Sequence, residues 1–216
     1  MPDIFDEVQE ELRAERAKRL GVKYGSLLGG VALLVLLGVG GWQGWQWWQD
    51  RQAAQSGALF LQISRTAEAP GADLKAAGDS FAGLATTSPE GYQILARLRA
   101  AALKAETGDR EAALALWDQL SGDEGAPRLY RDLASLMWVL HGMDTQDPAV
   151  LSARLTPLAG PSNPWRASAR EMQALLAIRR GEKPEAKRIL EALAADVTAP
   201  RGLRDRAGRL AAGLGV

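Results

Sequence analysis

The chain has 216 residues, enough for one large domain or two small ones with a sizeable core. Its 26 Lys and Arg balance 26 Asp and Glu, which argues against a protein whose main task is holding nucleic acid. Cysteine is absent and His141 is the only histidine. Disulfides, thiolate catalysis, Cys-based zinc sites and any Ser/His/Asp triad without His141 are therefore excluded.

Residues 1–23 form a short stub ahead of a long apolar run. Asp3 is placed to cap a helix bearing Ile4, Phe5, Val8 and Leu12 on one side. Acidic residues crowd its start and basic ones its end, as the helix dipole favours. The stub reads either as a helix lying on a membrane or on a cytosolic partner, or as a solvated lead-in whose basic end fixes topology.

From Tyr24 to Gln49 no side chain carries a charge at neutral pH. The stretch between Tyr24 and Trp42 would extend about 28 Å as a helix, close to the ~30 Å hydrocarbon layer of a bilayer. Trp42, Trp45, Trp47 and Trp48 thicken one end, as an interfacial aromatic belt does. The rival readings are a buried helix of a soluble core and a cleaved signal peptide. The charged residues ahead of the run, and the Trp and Gln that follow it where small residues would be needed, count against cleavage. We expect a transmembrane helix over 24–48. Arg13, Arg16, Lys18, Arg19 and Lys23 precede it and Arg51 follows, so the positive-inside rule puts the N-terminus in the cytoplasm. Residues 49–216 then lie outside it, in a bacterium the periplasm. Gly25, Gly29, Gly40 and Gly44 place small residues on one face of the helix, where a second membrane helix would fit.

Beyond the span, proline and glycine separate short helical stretches: 42–66, 72–86, 90–106, 110–120, 127–142, 147–158, 164–180, 184–195 and 201–213. Strand alternation is almost absent. Leu103–Leu120 aligns with Leu176–Leu193, with Gly108 on Gly181, Ala113 on Ala186 and Trp117 on Leu190. The separation is about twice a 34-residue repeat. Ser135 and Gly142 mark the intervening repeat at the spacing of Ala101/Gly108 and Ala174/Gly181. Ala77, Phe81, Leu84 and Pro89 mark the second helix of the first. The fold expected is all-α: a right-handed α-solenoid of about four helical hairpins, with 201–213 capping its end.

These residues resemble the tetratricopeptide family, well in the second and fourth hairpins and partly in the first and third. Where the family has a large apolar residue early in the first helix, this chain has Arg97, Arg131 and Arg170. They read either as snorkelling side chains paired with nearby acids or as an arginine row for a partner's carboxylates. The first helices would line the concave side with Leu95, Leu98, Ala102, Leu129, Leu136, Val139, Leu175 and Ile178. That face is either a groove for an amphipathic or unfolded segment, or filled core. No phosphate loop or metal-ligand spacing is present, so no cofactor, metal or catalytic residue is expected. His141 reads as a helix C-terminal residue interacting with the dipole.

The whole layout also resembles the YfgM-type ancillary subunits of the bacterial SecYEG translocon. The segments that carry the resemblance are DIFDEVQEELRAERAKRLGVKYG, GWQGWQWWQ and LARLRAAALKAETGDREAALALWDQL. It implies a membrane-anchored, non-enzymatic scaffold whose partners are the translocon and periplasmic chaperones. The alternatives are a tethered assembly factor for other envelope machinery, such as cell division or cytochrome maturation, and an enzyme with a concealed site.

Overall fold

The computed structural model describes the backbone of residues 4–215, and their side chains except at 4–17, 19–21, 25–28 and 32. All regular structure among the described residues is helical: α1 (Ile4–Ala67), α2 (Leu74–Thr87), α3 (Glu90–Glu106), α4 (Arg110–Ser121), α5 (Arg128–Gly142), α6 (Pro148–Leu158), α7 (Arg166–Arg179), α8 (Lys183–Ala195) and α9 (Arg201–Gly213). The chain divides into two units, Met1–Gln52 and Ala53–Val216.

Helix α1 supplies the first unit. Leu33, Leu34, Val35, Leu36, Leu37 and Val39 are exposed there, and consecutive helical positions point to every side. Trp42, Trp45, Trp47 and Trp48 follow, also exposed, with the Trp45 and Trp48 rings 5.5 Å apart. Among the described residues no helix is long and apolar enough to cross a membrane. The expected span 24–48 takes in residues 25–28 and 32, which lie outside the set with described side chains. So do Gly25 and most of the stub. At Gly29, Gly40 and Gly44 an added Cβ would meet nothing within 4 Å.

The second unit starts with the last turns of α1 and stacks four hairpins: the end of α1 with α2, then α3–α4, α5–α6 and α7–α8. Each second helix is opened by an acidic residue, Asp73, Asp109, Asp147 or Glu182. The three aspartates accept a backbone N–H from the first turn, at 2.9 Å from Ala76, 3.4 Å from Ala112 and 2.7 Å from Ala149. Those bonds satisfy donors that the helix itself leaves open. Counted from these caps, the same three positions are buried in every second helix. The first holds Ala77, Ala113, Leu151 and Ala186. The next holds Phe81, Trp117, Leu155 and Leu190, and the last Leu84, Leu120, Leu158 and Leu193. Burying each leucine or aromatic contributes about 1.5–3 kcal/mol, and no hairpin can do so alone. Helix α9 closes the stack by setting Leu203, Ala207 and Ala211 against Leu190 and Leu193.

The caps also fix the register of the first helices. Ala96, Ala134 and Ala169 are equivalent and fully buried, as are Ala101, Val139 and Ala174. The middle hairpin therefore sits one helical turn from the expected register. Val139, not Ser135, is the partner of Ala101 and Ala174. Gly142 misled the alignment. Gly108 (φ +87°) and Gly181 (φ +78°) take the left-handed conformation that ends their helices, whereas Gly142 is the last helical residue and keeps negative φ. There the chain turns through residues 143–147, and the Thr145 and Gln146 N–H groups donate to the Gly142 carbonyl at 3.0 and 2.8 Å. Substituting Ala at Gly108 or Gly181 should cost about 1 kcal/mol each, the strain of a Cβ at positive φ. Gly142→Ala should cost less. Its Cβ would press on the flexible Gln146 side chain, 2.8 Å from Cγ, and make ordinary contact with Leu114 at 3.7 Å, and alanine favours the helix. Urea unfolding midpoints of the three variants check this order.

Candidate partner-binding face

With the register set, the first helices present one apolar face. On α3 it holds Leu95, 37% exposed, and half-buried Ala102. On α5 it holds Leu129 and Leu140, 45% and 41% exposed, with half-buried Leu133 and Met137 between them. On α7 it holds half-buried Leu175 and Ile178. Leu136 and Val139 do not belong to it. Both are buried in the central core cluster, against which Leu98, Ala102, Met137 and Leu175 all pack half-buried. The shifted register is the reason: Leu133 and Leu140 are the true equivalents of Leu95 and Ala102.

An aromatic position at the start of α3, α5 and α7 escaped the sequence reading. It holds Tyr92, Tyr130 and Trp165. The Tyr92 hydroxyl lies where a Cβ on Gly57 would be, at 2.5 Å, and its ring is 6.4 Å from that of Phe60. The Trp165 indole N–H donates to the Leu129 carbonyl at 3.0 Å. Between α3 and α5, Tyr130 instead walls an open cleft of about 470 Å³ with Tyr92, Ile94, Leu95 and Pro127. Counting back from the caps would have exposed this column in the sequence. The misplaced middle register hid it.

The arginines do not form a row. Arg97 and Arg170 are equivalent, but Ser135 holds that position in the middle hairpin and Arg131 lies one turn earlier. Arg97 pairs with Asp123 at 2.7 Å. Arg170 lies in a cleft beside Gln173 and Ile189 and acts electrostatically on Asp196, whose carboxyl is held below its ordinary range chiefly by hydrogen bonds from Thr198. The Nε of Arg131 is buried without a hydrogen-bond partner.

His141 stacks on Trp117 with ring centroids 4.6 Å apart. Burial, and then the charge of Arg110, hold its pKa below the ordinary 6.5. A histidine with a depressed folded pKa stabilises the fold above its unfolded pKa and loses that contribution as pH falls through the folded value. The denaturant midpoint should therefore drop between pH 7.5 and pH 5, and His141→Gln should flatten that drop. Among the described residues no group of three or more His, Asp or Glu could hold a metal ion.

A family model of the tetratricopeptide repeat-like domain matches residues 18–199. The chain belongs to this family. No curated protein and no solved structure matches it. Tetratricopeptide-like domains are typically scaffolds for other proteins rather than enzymes, so the family suggests a scaffold with protein partners. In this tetratricopeptide-like stack the exposed leucines of α3 and α5 form an apolar surface.

Proposed function

We propose that the chain is a membrane-anchored protein-binding scaffold, an ancillary subunit of the Sec translocon of the YfgM type that links export to periplasmic chaperones. The observation that carries the reading is the pairing of two exposed apolar features on one chain. One is the ring of leucines and valines around α1 from Leu33 to Val39, and the other is the leucine face of α3 and α5. A helix apolar on all sides suits lipid, and a one-sided apolar face suits a polypeptide. The tryptophans past Val39 suit the interface, and Arg51 lies over the Trp47 ring at 5.0 Å, where its charge would meet headgroups. In this reading 24–48 spans the bacterial inner membrane, 1–23 is cytoplasmic and 49–216 periplasmic.

Reporter fusions at the two ends test the topology, with the C-terminus expected on the periplasmic side. Mild detergent extraction tests the partnership. Translocon subunits should co-purify with the full chain and be lost on deleting 1–48. A cytosolic C-terminus, or co-purification only with division or cytochrome-maturation proteins, would overturn the assignment.

A further inference from the structure

The first and last grooves between second helices share one plan and differ in charge. The α2–α4 groove runs over α3 and the α6–α8 groove over α7, and they form clefts of about 670 and 450 Å³. In the register set by Ala96 and Ala169, Gln93 answers to Arg166, Arg97 to Arg170 and Asp123 to Asp196. Arg97 and Asp123 both line the first cleft and bond at 2.7 Å, so its one cation meets its one anion there. In the last cleft the equivalent acid is not on the wall. Arg166 stands where the first cleft has Gln93, and it holds one oxygen of Asp196 at 2.6 Å. The Thr198 N–H and hydroxyl donate to the other oxygen at 3.0 and 2.6 Å. Arg170 still acts on Asp196 through space, but among the described residues it donates no hydrogen bond.

The other charges on this wall do not replace the acid. Arg188 and Glu185 close on each other through two bonds, at 2.8 and 2.6 Å. Arg180 donates to the Pro148 carbonyl at 2.7 Å. Glu182 is exposed at the start of α8, where its charge suits the helix dipole. The cleft therefore keeps three arginines against two acids, and Arg170 is the cation without an acceptor.

We propose that this cleft receives an acidic side chain of a partner polypeptide, whose carboxylate takes on Arg170 the place that Asp123 holds on Arg97. The Gln173 amide and Ser152 hydroxyl supply further donors, and Leu176 and Ile189 give the stem of the side chain an apolar seat. Charge along the stack favours such a partner at this end. Residues 164–216 carry 11 Lys and Arg against 6 Asp and Glu, whereas 53–163 carry 9 against 13. The cleft lies across α7 from Leu175 and Ile178, so it is a contact separate from the leucine face. The inference rests on the protein-binding reading and names one chemistry by which a partner is held.

The test uses the full chain in phosphatidylcholine nanodiscs with labelled Ile and Leu methyls. The probe is a Gly-Ser-Glu-Ser-Gly peptide blocked at both ends, with Gly-Ser-Gln-Ser-Gly as its control. The glutamate probe should shift the methyls of Ile189 and Leu176, and the glutamine probe should not. Acetate at the same concentration should shift them less, and a glutamine peptide with a free C-terminus should behave as its blocked form. Arg170→Gln should weaken the glutamate probe by about tenfold or more. If that variant also lowers the unfolding midpoint, Gln173→Glu keeps the arginine, sets a carboxylate one turn from it and should block the probe to the same extent. Binding that survives the block, equal shifts from the glutamine probe or from acetate, tighter binding of the free C-terminus, or shifts centred on Leu133 and Leu140 would each overturn the site. Failure of the scaffold reading shows separately, as loss of translocon co-purification.

Discussion

Trp117→Ala should cost about 3–5 kcal/mol and lower the unfolding midpoint of the whole second unit. The indole is fully buried and lies in the central core cluster, where side chains from α3, α4, α5, α6 and α7 meet. It is also the surface on which His141 stacks. Truncation leaves a cavity that helices held from both sides have little freedom to close. The equivalent substitutions Phe81→Ala, Leu155→Ala and Leu190→Ala give an internal comparison. A stack of hairpins unfolds nearly as a one-dimensional array, so a lesion in an end repeat opens locally and a central one divides the array. Phe81→Ala and Leu190→Ala should therefore broaden the transition and let the end hairpins exchange amide hydrogens first. Trp117→Ala should lower protection throughout. A single sharp transition at the same midpoint in all four variants would refute that order.

Helix limits were legible because their signals are local. Proline or aspartate opens most of the helices after α1, and Gly108 and Gly181 close two of them at positive φ. The buried column of the second helices was legible for the same reason, since Phe81, Trp117 and Leu190 stand at fixed distances from their caps. Leu155 completes the column and was missed because the middle repeat was set one turn off. The glycine spacing is a poor marker there, because Gly142 lacks the positive φ by which Gly108 and Gly181 end their helices. That one displacement explains why Leu136 and Val139 were placed on the open face, why Arg131 was grouped with Arg97 and Arg170, and why the column of Tyr92, Tyr130 and Trp165 went unseen. The Asp73, Asp109, Asp147 and Glu182 caps were the better ruler, because a cap is tied to the backbone while a glycine serves several ends. Contacts across repeats were not legible at all. Nothing in the sequence joins Arg154 to both Asp118 and the Trp138 ring, over which its guanidinium lies at 3.9 Å.

The same limit conceals the pair that fastens the last helix. Arg206→Met should cost about 2–3 kcal/mol, although arginine at that position is half exposed. Its guanidinium donates through Nε to one carboxylate oxygen of Glu171 and through a terminal nitrogen to the other, at 2.6 Å for the second bond. Glu171 is only 3% exposed. Removing the arginine leaves an acid that is buried and unpaired, and the helix that should cover α7 and α8 detaches most readily. The repeat itself indicates the remedy. Leu98 and Leu136 occupy the position of Glu171 in the earlier hairpins, where the next first helix packs over them. Glu171→Leu combined with Arg206→Met should therefore recover most of the loss, because an apolar contact replaces a charge pair whose desolvation offsets much of its attraction. A double-mutant cycle by urea unfolding measures the coupling. Additive losses in the double variant would show that the pair does not act as a unit. Recovery would mean that the capping helix is held by the same leucine packing as the rest of the stack, with the ion pair selecting α9 over any other helix that could seat there.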